Sequence, residues 1–93
     1  MSTYTLKRSS KLIDERKHTL DIKYFLIEEF TIRQPSGTYG IKVDTIDNGQ
    51  ITDTCTVNDI TQKKEEALYI LEKMADYEVT AISAKDVIED MVF

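Results

Sequence analysis

The dipeptide Asn48-Gly49 separates two segments of alternating character, TYGIKVDTID before it and QITDTCTVND after it. Both central residues of a type I′ turn need positive φ, which asparagine and glycine adopt most readily, so the pair predicts a two-residue hairpin. No other feature constrains the chain as strongly, because a hairpin fixes which strands are neighbours and in what register. Before the turn, Tyr39, Ile41 and Val43 share one face. After it, Ile51, Asp53, Cys55 and Val57 share one face and threonines occupy the other. Gly40 marks either a bulge or a place where an aromatic side chain covers the backbone closely.

Upstream, DIKYFLIEEFTIRQ (residues 21–34) is dominated by aromatic and β-branched residues, which suits a strand. Ile22, Tyr24, Leu26, Phe30 and Ile32 share one parity, with Glu28 among them; Phe25 and Ile27 take the other. An apolar pair on the second face implies partial cover from another element or a bulge that shifts the alternation. Pro35 ends the strand, since it lacks an amide hydrogen and restricts Gln34 to extended geometry. The first twenty residues read as a short strand, YTLKR, followed by a mobile loop or hairpin connection over SSKLIDERKHT. A three- or four-stranded antiparallel meander results, with one face to be covered.

The cover comes from downstream. ITQKKEEALYILEKMADYE places Ala67, Leu68, Leu71, Met74 and Ala75 at helical spacing, with Thr61 as its cap. In the closing VTAISAKDVIEDMVF, Ser83 and Asp86 match capping-box spacing and Ile82 and Val87 flank them as a hydrophobic staple. Val87, Ile88, Met91 and Val92 then form an apolar stripe, opposite Asp86, Glu89 and Asp90. A helix that short is unstable alone in water, so its apolar side must dock. The fold expected is α+β: the meander packed against one long and one short C-terminal helix, as a single domain over residues 1–93.

Composition narrows the function classes. Residues 1–40 carry seven Lys/Arg against five Asp/Glu, whereas residues 41–93 carry five against twelve. The overall charge of −5 repels phosphate backbones, which argues against nucleic acid as a general partner. The longest unbroken apolar run within a strand is Phe25, Leu26 and Ile27, far too short to span a bilayer. One cysteine excludes an internal disulfide, and no N-terminal apolar run resembles a signal peptide; a soluble cytoplasmic protein is expected.

Groups able to carry chemistry are few. His18 is the single histidine and lies in the polar run DERKH, which suits a surface position. Cys55 shares the parity of apolar neighbours and has only Asp53 and Asp59 as local charges, so a small buried residue is expected there, not a thiolate nucleophile. Glu28, if buried among Leu26 and Phe30, requires a raised pKa or a basic partner. Glu28/Glu29, Glu65/Glu66, Asp76/Glu78 and Asp86/Glu89/Asp90 could each contribute to a divalent cation site, but glycosidase-type chemistry needs two carboxylates facing across a cleft, for which a chain with one small sheet leaves little room. No catalytic, cofactor or metal-binding residue is assigned, and no cofactor is expected.

The order YGIKVDTIDNGQI, VNDIT, KEEALYILEKMADYEV and DVIEDMV resembles a small family of unknown function in spore-forming Firmicutes, over residues 39–92. The resemblance rests on Tyr39, Gly40 and Ile41, and on Asp86, Val87, Ile88, Glu89 and Asp90. It implies a host range and a fold but no mechanism. Together with the sparse chemistry, the expected function is a small intracellular protein-interaction or regulatory domain without catalytic activity. Its contact surface is expected at Phe25 and Ile27, through which the chain could form a homodimer, and at the acidic Asp86, Glu89 and Asp90. The alternative is a small ligand-binding domain or enzyme with a pocket between sheet and helices holding Glu28, Tyr24 or His18.

Overall fold

The structure, a computed structural model, describes residues 2–13, 15–33 and 35–92. Four strands, β1 (Ser2–Ile13), β2 (Thr19–Glu29), β3 (Thr38–Asp47) and β4 (Gln50–Thr61), precede two helices, α1 (Lys64–Asp76) and α2 (Ala81–Val92). The strands form one antiparallel sheet in the order β1-β2-β3-β4. The meander ends as the dipeptide requires: Asn48 has φ 52, Gly49 has φ 80, and Asp47 pairs with Gln50.

Both helices lie on the same face. There α1 packs over β1, β2 and β3, and α2 over β3 and β4. The core between the layers holds Ile22, Tyr24 and Leu26 of β2, Ile41 and Val43 of β3, and Ala67, Ile70, Leu71, Met74, Ala81, Ala84 and Ile88 of the helices. The thinnest dimension is 17 Å, room for one sheet and one helical layer. The other sheet face has no layer over it among the described residues.

Several expectations are corrected by bulges. β1 is a full strand rather than a short one, and the connection to β2 shrinks to residues 14–18, of which Asp14 lies outside the described residues. Its alternation is broken between Leu6 and Arg8. Tyr4 and Leu6 stand opposite Ile27 and Phe25 on the open face, whereas Arg8, Ser10 and Leu12 stand opposite Tyr24, Ile22 and Leu20 on the helix face. A parity count across that bulge cannot recognise the strand. In β4, a shift between Thr45/Asp53 and Ile46/Ile51 moves Ile51 onto the open face with Ile46, away from Asp53, Cys55 and Val57. A second irregularity spans the interval from Ile41↔Val57 to Tyr39↔Thr61, with Asp59 at φ 55. Gly40 belongs to it: a Cβ there would lie 2.3 Å from the Val57 carbonyl oxygen. Of the two readings of Gly40, the bulge holds.

β2 stops at Glu29, short of Pro35. Glu29 pairs with Ser2 and Thr38, and beyond it the chain turns back through Gly37 at φ 85. A Cβ at Gly37 would lie 2.6 Å from the Phe30 ring, so Phe30 folds over this turn and leaves the ladder, and Ile32 is fully exposed. The expectation for Gln34 lies outside the described residues.

Helix α1 buries Ala67, Ile70, Leu71, Met74 and Ala75, with Leu68 only partly buried. Thr61 is not its cap; Lys63 occupies that position without a side-chain cap. The Thr61 hydroxyl instead accepts from the Lys63 amide at 3.1 Å and donates to Glu66 at 2.8 Å. The helix ends in a Schellman arrangement, with Val79 N–H donating to Met74 and Glu78 N–H to Ala75, and with Glu78 at φ 55. Helix α2 begins at Ala81, two residues before the expected cap at Ser83, and runs for 12 residues. Its buried stripe is Ala81, Ala84 and Ile88; Val87 is partly buried, and Ile82, placed by the staple reading against Val87, is 76% exposed. The first-turn amide of Ala81 donates to the buried Thr45 hydroxyl of β3 at 3.0 Å, so the sheet caps the helix.

Candidate functional site

The open sheet face divides along its length. Toward the β2–β3 turn, Tyr4 and Leu6 of β1 flank Phe25 and Ile27 of β2, beside Gly40 and Lys42 of β3. Tyr4 is 50% exposed and Leu6 49%, Phe25 is half-buried, and Ile27 is buried at 1%. Ile27 is thus the floor of this surface and Tyr4, Leu6 and Phe25 its accessible part. Exposed Phe30 and Ile32 follow at the same end of the sheet. The Lys42 ammonium stands 5.6 Å from the centre of the Tyr4 ring and 5.4 Å from that of Phe25, a geometry in which both ring faces attract the cation. Toward the other end the face becomes charged, with Lys11 opposite Asp21 and Lys23 opposite Asp44. Asp44 is buried; it accepts from the Thr54 hydroxyl at 2.8 Å and faces Lys42 at 3.6 Å.

The acidic residues of the last helix are elsewhere. Asp86, Glu89 and Asp90 are exposed on the outer side of α2, away from the sheet. The structure therefore does not bring the two expected contact sets together. An open groove of about 580 Å³ lies between the first half of α1 and the end of α2, lined by Glu65, Glu66, Tyr69, Ile70, Met91 and Val92. Sequence reasoning placed Met91 and Val92 in the core stripe and missed this groove. No local signal marks it, because its walls come from two helices that meet only in the folded chain.

The three side chains that a pocket between the layers would use lie in three places. Tyr24 is wholly buried and donates its hydroxyl hydrogen to the Val79 carbonyl at 2.7 Å. Burial, with the Glu78 charge adding to it, pushes its pKa up to about 12. Glu28 sits at the end of β2 and has the basic partner its position requires, Lys64 at 3.0 Å. The hydrogen bond to Glu28, followed by their Coulomb attraction, raises the pKa of Lys64. His18 is exposed near the opposite end of the sheet, its imidazole against the Asp47 carboxylate. Cys55 is partly buried against the core.

Among the described residues, no cluster of three or more His, Cys, Asp and Glu side chains has metal-binding geometry. No helix among them is long and apolar enough to cross a membrane. A further link was invisible in the sequence: Arg8, set on the helix face by the β1 bulge, bonds Glu72 and reaches Asp76 at 3.3 Å, two residues one turn apart on α1.

Fold and surfaces define a two-layer α+β domain: an antiparallel meander, two helices over one face and a partly apolar second face. The chain belongs to the Family of unknown function (DUF6514), whose model matches residues 3–93. That match takes in the β1–β2 hairpin as well as the segments carrying YGI and DVIED. No curated protein and no solved structure matches the chain.

Proposed function

We propose that this chain is a small protein-interaction or regulatory domain of the cytoplasm, without catalytic activity, that associates through its open sheet face around Phe25. One observation carries the reading: Tyr4 and Leu6 stand half exposed beside Phe25 over a floor of buried Ile27, on a face that neither helix covers. Uncovered aromatic and aliphatic side chains grouped together mark interaction surfaces more often than scattered ones do. A second copy of the chain is the partner this face suits. A two-fold contact sets the same patch against itself, and Lys42 would enter it already paired with Asp44 and two rings, not as a bare charge. A spore-forming Firmicutes host is part of the same proposal and rests on the YGI and DVIED resemblance alone.

The test is the solution mass of wild type and Phe25→Glu, measured by light scattering at matched concentrations. The wild type is expected to scatter as a dimer, and the variant as a folded monomer with an unchanged far-ultraviolet circular dichroism spectrum. Equal masses for the two proteins would retire the sheet face as the contact.

A further inference from the structure

We infer that the groove between α1 and the end of α2 is a second docking surface, and that its occupant is an amphipathic helical peptide with a long apolar anchor flanked by Lys or Arg. The site goes beyond the sheet-face reading and stands without it, since the two surfaces share no residue.

The floor is apolar and adaptable. Tyr69 is 60% exposed, Met91 41% and Val92 36%, while Ile70 beneath them is 7% exposed. An amphipathic ring and an unbranched thioether suit a surface that fits itself around an inserted side chain. The volume of about 580 Å³ accommodates one or two large anchors, not a whole folded partner. A helix laid in a groove between two helices, with anchors spaced by helical turns, uses such a shape.

The charge around the groove selects the partner. Glu65 and Glu66 line the groove, and both neighbour Tyr69 on α1, at i,i+4 and i,i+3. On α2, Glu89 is the i,i+3 neighbour of Val92, and Asp86 and Asp90 continue the acidic side from there. Among cations near this site, Lys63 faces Glu66 at 3.9 Å, Lys64 is held by Glu28, and Lys73 lies over the Tyr69 ring at 5.6 Å. An apolar floor between acidic walls attracts a basic amphipathic segment and repels an acidic one of the same shape. The exposed acidic residues of the last helix become the approach surface for that partner.

The probe is a fluorescein-labelled peptide of leucine and lysine in helical register, with a leucine–glutamate peptide of the same pattern as control, read by fluorescence anisotropy on the full chain. The lysine peptide is expected to bind and the glutamate peptide not to bind, with affinity falling as salt rises. Met91→Asp and Glu65→Lys should each weaken binding by about tenfold. Glu15→Lys changes net charge as much as Glu65→Lys but sits in the exposed β1–β2 turn, and it should leave affinity within about twofold. Should Met91→Asp unfold the chain, Glu65→Lys against Glu15→Lys still decides the matter. Phe25→Glu is expected to bind the peptide like wild type, which separates this site from the sheet face. Equal losses for Glu65→Lys and Glu15→Lys, equal binding of both peptides, or no binding of the lysine peptide would each overturn the inference.

Discussion

Tyr24 ties the sheet to the link between the two helices. Its ring is fully buried between sheet and helices, and its hydroxyl donates to Val79, in the link between α1 and α2. Tyr24→Phe keeps the ring and removes the donor, leaving a part-buried carbonyl unpaired. The expected cost is about 1–2 kcal/mol of unfolding free energy, read by urea denaturation. The same residue shapes the alkaline limb. With a folded pKa of about 12 against an ordinary 10.0, the folded state keeps this proton where the unfolded state releases it. Stability from this group is whole below pH 10 and is lost as pH rises through about 12. Tyr24→Phe should therefore flatten the fall in stability between those limits. An unaltered alkaline slope in the variant would show that this hydroxyl is not buried.

At the scale of elements, helix α2 offers the sharpest contrast between local sequence and tertiary structure. Local pattern nominates Ser83 as its cap; the structure assigns the first-turn amide of Ala81 to Thr45, a residue 36 positions away on β3. Thr45→Val preserves shape and deletes that acceptor, and is expected to cost about 1–2 kcal/mol, whereas Ser83→Ala, an exchange at an exposed first-turn position, should stay within about 0.5 kcal/mol. Thermal melts of the two variants distinguish the readings, and the reverse order would restore the local cap. The same contrast explains what was legible. The β3–β4 hairpin could be read because Asn48 and Gly49 adopt the positive φ for which they are suited. The α1 stripe could be read because a 3.6-residue period needs no knowledge of the partner surface. Strand β1 could not, because its bulge flips parity at Lys7 and its helix-facing Arg8 and Ser10 bond α1 groups instead of burying apolar area. Ile51 was misassigned to the helix face for the same reason, a one-residue shift near Thr52. The groove was illegible because its walls come from residues 65–70 and 91–92, brought together only by the way α2 crosses the sheet.

Over the whole molecule, the uneven charge of the chain becomes a structural device. The basic first half supplies β1 and β2; the acidic second half supplies β3, β4 and both helices. Arg8 to Glu72 and Asp76, and Lys64 to Glu28, join one half to the other across the two layers. Exposed pairs of this kind contribute little each, so the layers are held chiefly by the core around Ile22, Tyr24, Leu71, Met74 and Ile88. That division leaves the molecule with unlike sides: an acidic helical side with a groove, and a sheet side whose apolar end is bare. On the proposed function, the bare end is where one copy of the chain meets a second. Amide chemical shifts of the wild-type protein, followed as concentration rises, decide whether it does. The expected result is movement at Tyr4, Leu6, Phe25 and Lys42 as concentration rises, with the outer faces of α1 and α2 unmoved. Shifts confined to the helices, or none at any concentration, would contradict it.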